Sequence, residues 1–271
     1  MITDWTDAYD NRGHIPDAAS YEPRWIGDAQ AYRTEMFAQG RAEIDLAYGD
    51  RQRNRMDLFH PVGTPKGLVV FVHGGYWRVF DKSLWSHFAA GVVDAGWACA
   101  MPSYTLTPEV AIADITREVT AAIETVAQKV AGDIRLMGHS AGGHLVSRMI
   151  CNDTTLSAAV TDRIVHTVSI SGVHDLRPLV NIAFNEDFRL TTETAADESP
   201  VLKTPLAGAR VTAWVGDDEL PEFVRQTTLL SNIWSGLGAD TAQVKEAGKH
   251  HFTVIDGLRR ADSALTETVL S

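Results

Sequence analysis

Apolar and polar positions alternate through AEIDLAY (42–48) and NRMDLFH (54–60), and the polar GDRQR between them predicts a hairpin. GLVVFV (67–72) follows with no alternation, as a strand buried on both faces requires. The period then lengthens. DKSLWSHFAAGVVDAG (81–96) has helical spacing and closes on Gly96. WACAMPSY (97–104) reads as a strand, residues 108–132 as a long amphipathic helix ending at Gly132, and DIRLMG (133–138) as the next strand. AGGHLVSRMIC opens another helix, and RIVHTVSISG (163–172), ARVTAWVG (209–216) and DTAQVKEAG (240–248) read as strands. Helices are predicted over 221–236 and, to close the chain, over 252–270.

Strands alternating with helices imply parallel strands joined by right-handed crossovers. The pattern therefore predicts an α/β fold: a mostly parallel sheet of about eight strands, helices on both faces, and an antiparallel N-terminal edge. One domain, 1–271, is expected. Two stretches stand apart from the pattern. Residues 1–40 are aromatic-rich (Trp5, Tyr9, Tyr21, Trp25, Tyr32) with a helix over 24–39, and read as a packed arm or as a roof over a ligand pocket. Residues 173–207, with Pro178, Pro200 and Pro205, are irregular and read as a lid or cap element. In such sheets chemistry collects at the carboxyl ends of the strands. That rule brings the loops at 73–77, 138–142, 172–177, 216–220 and 248–251 to one rim.

The two turns at the ends of predicted strands carry the candidate chemistry. Gly138-His139-Ser140-Ala141-Gly142 fits G-x-S-x-G, a sharp strand-to-helix turn that throws its serine outward. HGGYW (73–77) places Gly74 and Gly75 after an earlier strand, where backbone N–H groups can face a carbonyl oxygen without a Cβ in the way. With the N–H of Ala141 they form a candidate oxyanion hole. On this scaffold an acid and then a histidine follow the serine in chain order. The loop after ARVTAWVG offers Asp217, Asp218 and Glu219, and AGKHHF offers His251, with His250 as the fallback. His73, His139 and His144 read as structural. Tyr76, Trp77 and Tyr104 are candidates to line a pocket for a flat substrate.

Bulk properties narrow the class. The chain has 271 residues, 24 Lys and Arg against 35 Asp and Glu, and a formal net charge of −11. That balance argues against nucleic acid and anionic membrane as main partners. No apolar run approaches the roughly 18 residues of a membrane span. The acidic start MITDWTDAYDNRGH lacks the apolar core of a secretory signal. The two cysteines, Cys99 and Cys151, sit in apolar settings and read as free thiols of a reducing compartment, so a cytoplasmic location is expected. No HExxH or CxxC occurs, so no metal or other cofactor is expected.

On HGGYW, GHSAGGHL, SGVHDLRPL, VGDDELPEF and the terminal HHF, the sequence resembles the α/β-hydrolase superfamily, and within it the kynurenine formamidase (arylformamidase) family. The resemblance runs from about residue 40 to the end. It implies an α/β-hydrolase fold and a serine hydrolase with Ser140 as nucleophile and His251 as general base. The acid lies three residues after the Gly of the VG loop, at Glu219, where other members often carry Asp; Asp218 is the competitor. The implied reaction is cleavage of N-formyl-L-kynurenine to kynurenine and formate, a step of tryptophan catabolism, through an acyl-enzyme. A general small-acyl carboxylesterase with the same residues is the alternative, and a ligand-binding protein without turnover is a more distant one. The expected partner is a small aromatic formamide or ester, and a homodimer stays open as the quaternary state.

Overall fold

The computed structural model describes residues 2–271. One eight-stranded sheet carries the order β1-β2-β4-β3-β5-β6-β7-β8. Its strands are β1 (Ala42–Ala47), β2 (Arg55–Phe59), β3 (Gly67–Val72), β4 (Ala98–Pro102), β5 (Asp133–His139), β6 (Ile164–Ile170), β7 (Arg210–Gly216) and β8 (Asp240–Glu246). β2 runs antiparallel to both β1 and β4, and every other pairing is parallel. The predicted hairpin is therefore the antiparallel edge of a parallel sheet.

The unbroken apolar run of β3 serves two cores. Leu68, Val70 and Val72 point into one, with Ile115, Ile123, Leu145, Phe223 and Trp234 of the crossover helices. Val69 and Phe71 point into the other, with Trp25, Phe88, Leu258 and Leu265. A strand covered on both sides leaves no position for a polar residue, which is why its sequence does not alternate. Register aligns the strand ends: Val72 pairs with Gly138, His139 with Ile170, and Ile170 with Trp214. The loops that follow β3, β5, β6 and β7 thus emerge side by side.

Three helix expectations shorten. The 81–96 stretch is two 3₁₀ turns (Lys82–Leu84, Ser86–Ala89) and a short helix, Ala90–Asp94. Here Lys82 is drawn down to Asp57 and Asp45, at 2.7 and 2.6 Å, and tertiary ion pairs override local propensity. The 108–132 helix spans Ile112–Ala127, opened by Asp114, whose carboxylate accepts from the Ala111 N–H. The closing 252–270 helix breaks into a 3₁₀ turn (Asp256–Arg259) and a helix Ala264–Leu270, restarted by the Ser263 cap on the Thr266 N–H. Among the described residues, no helix is long and apolar enough to cross a membrane.

The N-terminal arm is bound to the sheet domain by buried bonds. Its long helix is Tyr21–Ala38. Tyr9 Oη donates to Glu222 Oε2 at 2.8 Å and accepts from Gln226 Nε2 at 2.9 Å, while Tyr76 Oη donates to the Tyr9 carbonyl. The 173–207 segment packs inward through Leu176, Leu179, Ile182, Phe188 and Ala195.

Candidate active site

Ser140 occupies the turn between β5 and the helix Ala141–Arg148, with φ 56° and ψ −118°. That left-handed backbone is costly for a residue with a Cβ and persists only where the surroundings over-determine it. They do so by close approach. A Cβ on Gly142 would stand 1.9 Å from the Val72 carbonyl oxygen, so the helix can lie against β3 only with glycine there. The serine is also at the N-terminus of a helix, where the first N–H groups have no intrahelical acceptor.

Glu219 and His251 meet across the same rim. Glu219 Oε2 lies 2.6 Å from His251 Nδ1, both side chains almost wholly buried. The other carboxylate oxygen, Oε1, accepts from the Gly216 N–H at 2.9 Å and from Ser171 Oγ. Each oxygen therefore has its own donors, and the longer glutamate stem is held in one orientation. Asp217 and Asp218, the competitors read from sequence, are exposed, and Asp217 Oδ1 accepts from the Gly248 N–H. His250 faces outward to the arm, its Nε2 3.1 Å from Tyr21 Oη.

Gly75 has φ +109°, and a Cβ there would come within 2.4 Å of the Val79 carbonyl oxygen, so this turn needs glycine. Gly74 packs beside the serine: a Cβ on it would lie 3.1 Å from the Ser140 Cβ. Ala141 directly follows Ser140 as the first residue of its helix. Gly74 and Ala141 thus lie beside Ser140, and Gly75 lines the same cavity.

Ser140, His251, Gly75 and Tyr76 line a common cavity of about 360 Å³. That volume lies near the lower end of the roughly 300–1,000 Å³ of small-molecule sites. Close to half of its wall comes from the arm: Tyr9, Asp10, Asn11, Arg12, Ala18, Tyr21, Glu22 and Trp25. The arm's aromatic richness is explained here. Trp25 packs on Trp85 and Phe252, with ring centroids 5.1 and 5.4 Å apart, and all three reach the wall. From the 173–207 segment, Phe184 reaches it as well.

Trp77 and Tyr104, expected at the pocket, are instead core residues. Trp77 is fully buried edge-on to His144 and Phe188. Tyr104 stacks on His73 at 4.3 Å and donates to the His73 carbonyl at 3.0 Å. The positive φ of both Tyr76 and Trp77 turns consecutive side chains in ways that strand alternation does not anticipate. Ser171 was not singled out from sequence. Its signal was its position at the end of a central strand, one residue before the expected loop.

The histidines around the serine are held neutral. Burial, then the neighbouring His251, keeps the His139 imidazole well below its usual value. His139 Nε2 donates to the His251 carbonyl at 2.9 Å, so it fixes the backbone that carries the other imidazole. Burial brings His73 down to about 4 and His144 to about 3. His144 Nε2 donates to the Glu198 carbonyl at 2.7 Å.

Comparison with known proteins identifies the family and the fold. The BD-FAE family model matches residues 56–213. Kynurenine formamidase from Danio rerio is 26% identical over 84% of this chain and 80% of its own length, and that from Salmo salar is 27% identical over 86% and 83%. A crystal structure from Silicibacter sp. TM1040, described as a candidate thioesterase, is 45% identical over the whole of both chains with a TM-score of 0.94. An esterase of Pyrobaculum calidifontis, 18% identical over 94% of this chain and 92% of its own, shares the fold with a TM-score of 0.69. With its parallel sheet, antiparallel edge and strand-end serine turn, the chain belongs to the BD-FAE family and is an α/β-hydrolase, a hydrolytic enzyme similar to the kynurenine formamidases.

Proposed function

We propose that the chain is a serine hydrolase that cleaves aryl formamides, with N-formyl-L-kynurenine as the preferred substrate and kynurenine and formate as products. One observation carries the reading: a strained, cavity-facing Ser140 shares its cavity with His251, whose Nδ1 is bound by the buried Glu219. In the proposed reaction Ser140 Oγ attacks the formyl carbon and its proton passes to His251 Nε2. Glu219, on Nδ1, fixes the tautomer and favours the imidazolium that forms. The oxyanion is met by the N–H groups of Gly75 and Ala141, with Gly74 alongside; each such donor contributes ~10²–10³ in rate. His251 then protonates the departing arylamine as the C–N bond breaks. Water, deprotonated by the same imidazole, attacks the formyl ester, releases formate and restores Ser140.

The aryl assignment rests on the wall. Tyr76, Trp25, Trp85, Phe184 and Phe252 offer flat apolar faces to an arylamine, and a formyl group needs almost no acyl pocket. Likeness to the formamidases over most of both chains supports the same choice. The 45% identical structure favours a second reading, hydrolysis of small-acyl esters or thioesters by the same residues. Measuring kcat/KM for N-formyl-kynurenine beside short-chain acyl esters and thioesters separates them. Formyl-kynurenine leading the panel supports the first reading; absence of formamide cleavage alongside efficient ester or thioester turnover rejects it. Buried free thiols at Cys99 and Cys151 support a reducing, cytoplasmic setting.

A further inference from the structure

The cavity grades from apolar to charged. At its base Ser140 is 3% exposed, among aromatic rings. Elsewhere in the wall, the arm contributes Arg12 and Glu22, whose side chains are 60% and 39% exposed and whose Nη2 and Oε2 stand 3.3 Å apart. Other wall charges are already committed. Asp10 caps the Gly13 N–H, and Arg78 is held by Asp187 at 2.7 Å. Asn11, beside Arg12, has a buried Nδ2 with no acceptor among the described residues.

An exposed ion pair is a latent site for a zwitterion. The pair itself contributes little, about 0–1 kcal/mol, so opening it is cheap. An α-amino acid carries its ammonium and carboxylate on one carbon, so it engages both members at once: carboxylate on Arg12, ammonium on Glu22. No charge is left uncompensated, and both new contacts are charge-assisted hydrogen bonds.

We infer that Arg12 and Glu22 select substrates whose aryl group carries an α-amino-acid tail, by exchanging their mutual ion pair for the two charges of that tail. This rests on the aryl-formamidase reading. It assigns specificity to the N-terminal arm and chemistry to the sheet.

The test compares N-formyl-kynurenine with 2-formamidoacetophenone, the same aryl ketone formamide without the tail. The wild-type enzyme is expected to favour the tailed substrate by about tenfold or more in kcat/KM, chiefly through KM, as hydrogen bonds to charged groups allow. Arg12→Ala and Glu22→Ala should each bring that preference toward unity, with Arg12→Lys retaining most of it. Thermal melts confirm that each variant is folded. A measurement without substitution runs in parallel: added salt should raise KM for the tailed substrate and leave the neutral one level. Equal cleavage of both formamides by the wild type overturns this inference while leaving the formamidase reading standing. So does a preference that survives both alanine variants and high salt. Cleavage of neither formamide overturns both.

Discussion

The strand-end rim and the N-terminal arm build one cavity by opposite means. At the rim, Ser140, Gly75 and Ser171 are held in left-handed backbone. Glu219 and His251 are buried, and every polar atom of the Glu219 carboxylate has a donor. The arm uses helical turns and aromatic packing, and presents exposed charges. A group that must meet a reacting atom within a fraction of an ångström has to be over-determined by its surroundings. A group that selects a substrate tail needs reach and charge. On the proposed reading, the sheet supplies the reaction and the arm decides what is admitted to it.

Acid should act first on the buried histidines, at the rim and, through His87 and His166, beyond it. Burial lowers His73 to about 4 and His144 and His174 to about 3. In the unfolded chain the same groups take protons near 6.5. Stability from keeping them neutral is therefore complete above about pH 6.5 and is lost as pH falls toward 4, at roughly 1.4 kcal/mol per pH unit for each. Thermal melts across pH 7.5 to 4 should show a steep fall that begins before carboxylates titrate; a flat profile down to pH 5 would contradict the buried neutral set.

Within the rim, Ser140→Ala is expected to lower kcat by ~10⁴ or more and Glu219→Gln by ~10³–10⁴, with melting temperatures close to wild type for the first. Asp218→Asn, on an exposed neighbour, should stay within a few-fold. Steady-state kinetics on one substrate checks all three, and the reverse ranking of the two acids would move the acid role to Asp218.

Ser171→Ala sharpens the same region. It removes one donor from Glu219 Oε1 and leaves the Gly216 N–H in place. A loss of about tenfold in kcat is expected, because a carboxylate held by fewer donors orients the imidazole less firmly. An unchanged kcat would make Ser171 a packing residue. On the arm side, Tyr9→Phe should cost about 1–3 kcal/mol by leaving the buried Glu222 and Gln226 short of a partner. It should raise KM more than it lowers kcat. A fall in kcat alone would mean that the arm takes part in the chemistry itself.

The same contrast governs how far the sequence could be read. Strands, crossovers and their shared rim were legible because β3, β5 and β7 advertise burial and the G-x-S-x-G turn has few alternative structures. Chain order and loop position narrow the acid to Asp217, Asp218 and Glu219 and the base to His250 and His251; Glu219 is singled out only by the family resemblance. Trp77 turns inward because the direction of an aromatic at a strand end depends on the loop's backbone, here with two successive positive φ values, and Tyr104 because it stacks on the buried His73. The arm's role in the wall was visible only as an excess of aromatics. Nothing local links Tyr9 to Glu222, 213 residues away, or Trp25 to Trp85; those partners are set by the packing of the helix Tyr21–Ala38 onto the sheet domain. The closing helix failed at residues 256–263, where a serine cap restarts the chain in a new direction.

The central claim is that Ser140, primed by His251, is the nucleophile at the base of this cavity. Incubation with an aryl phosphonate followed by peptide mass mapping tests it most directly. The account predicts one phosphonyl group per chain, on Ser140, with labelling and hydrolysis lost together and His251→Ala suppressing both. Hydrolysis that persists after Ser140 is fully labelled, or a label that settles on another residue as activity disappears, would contradict it.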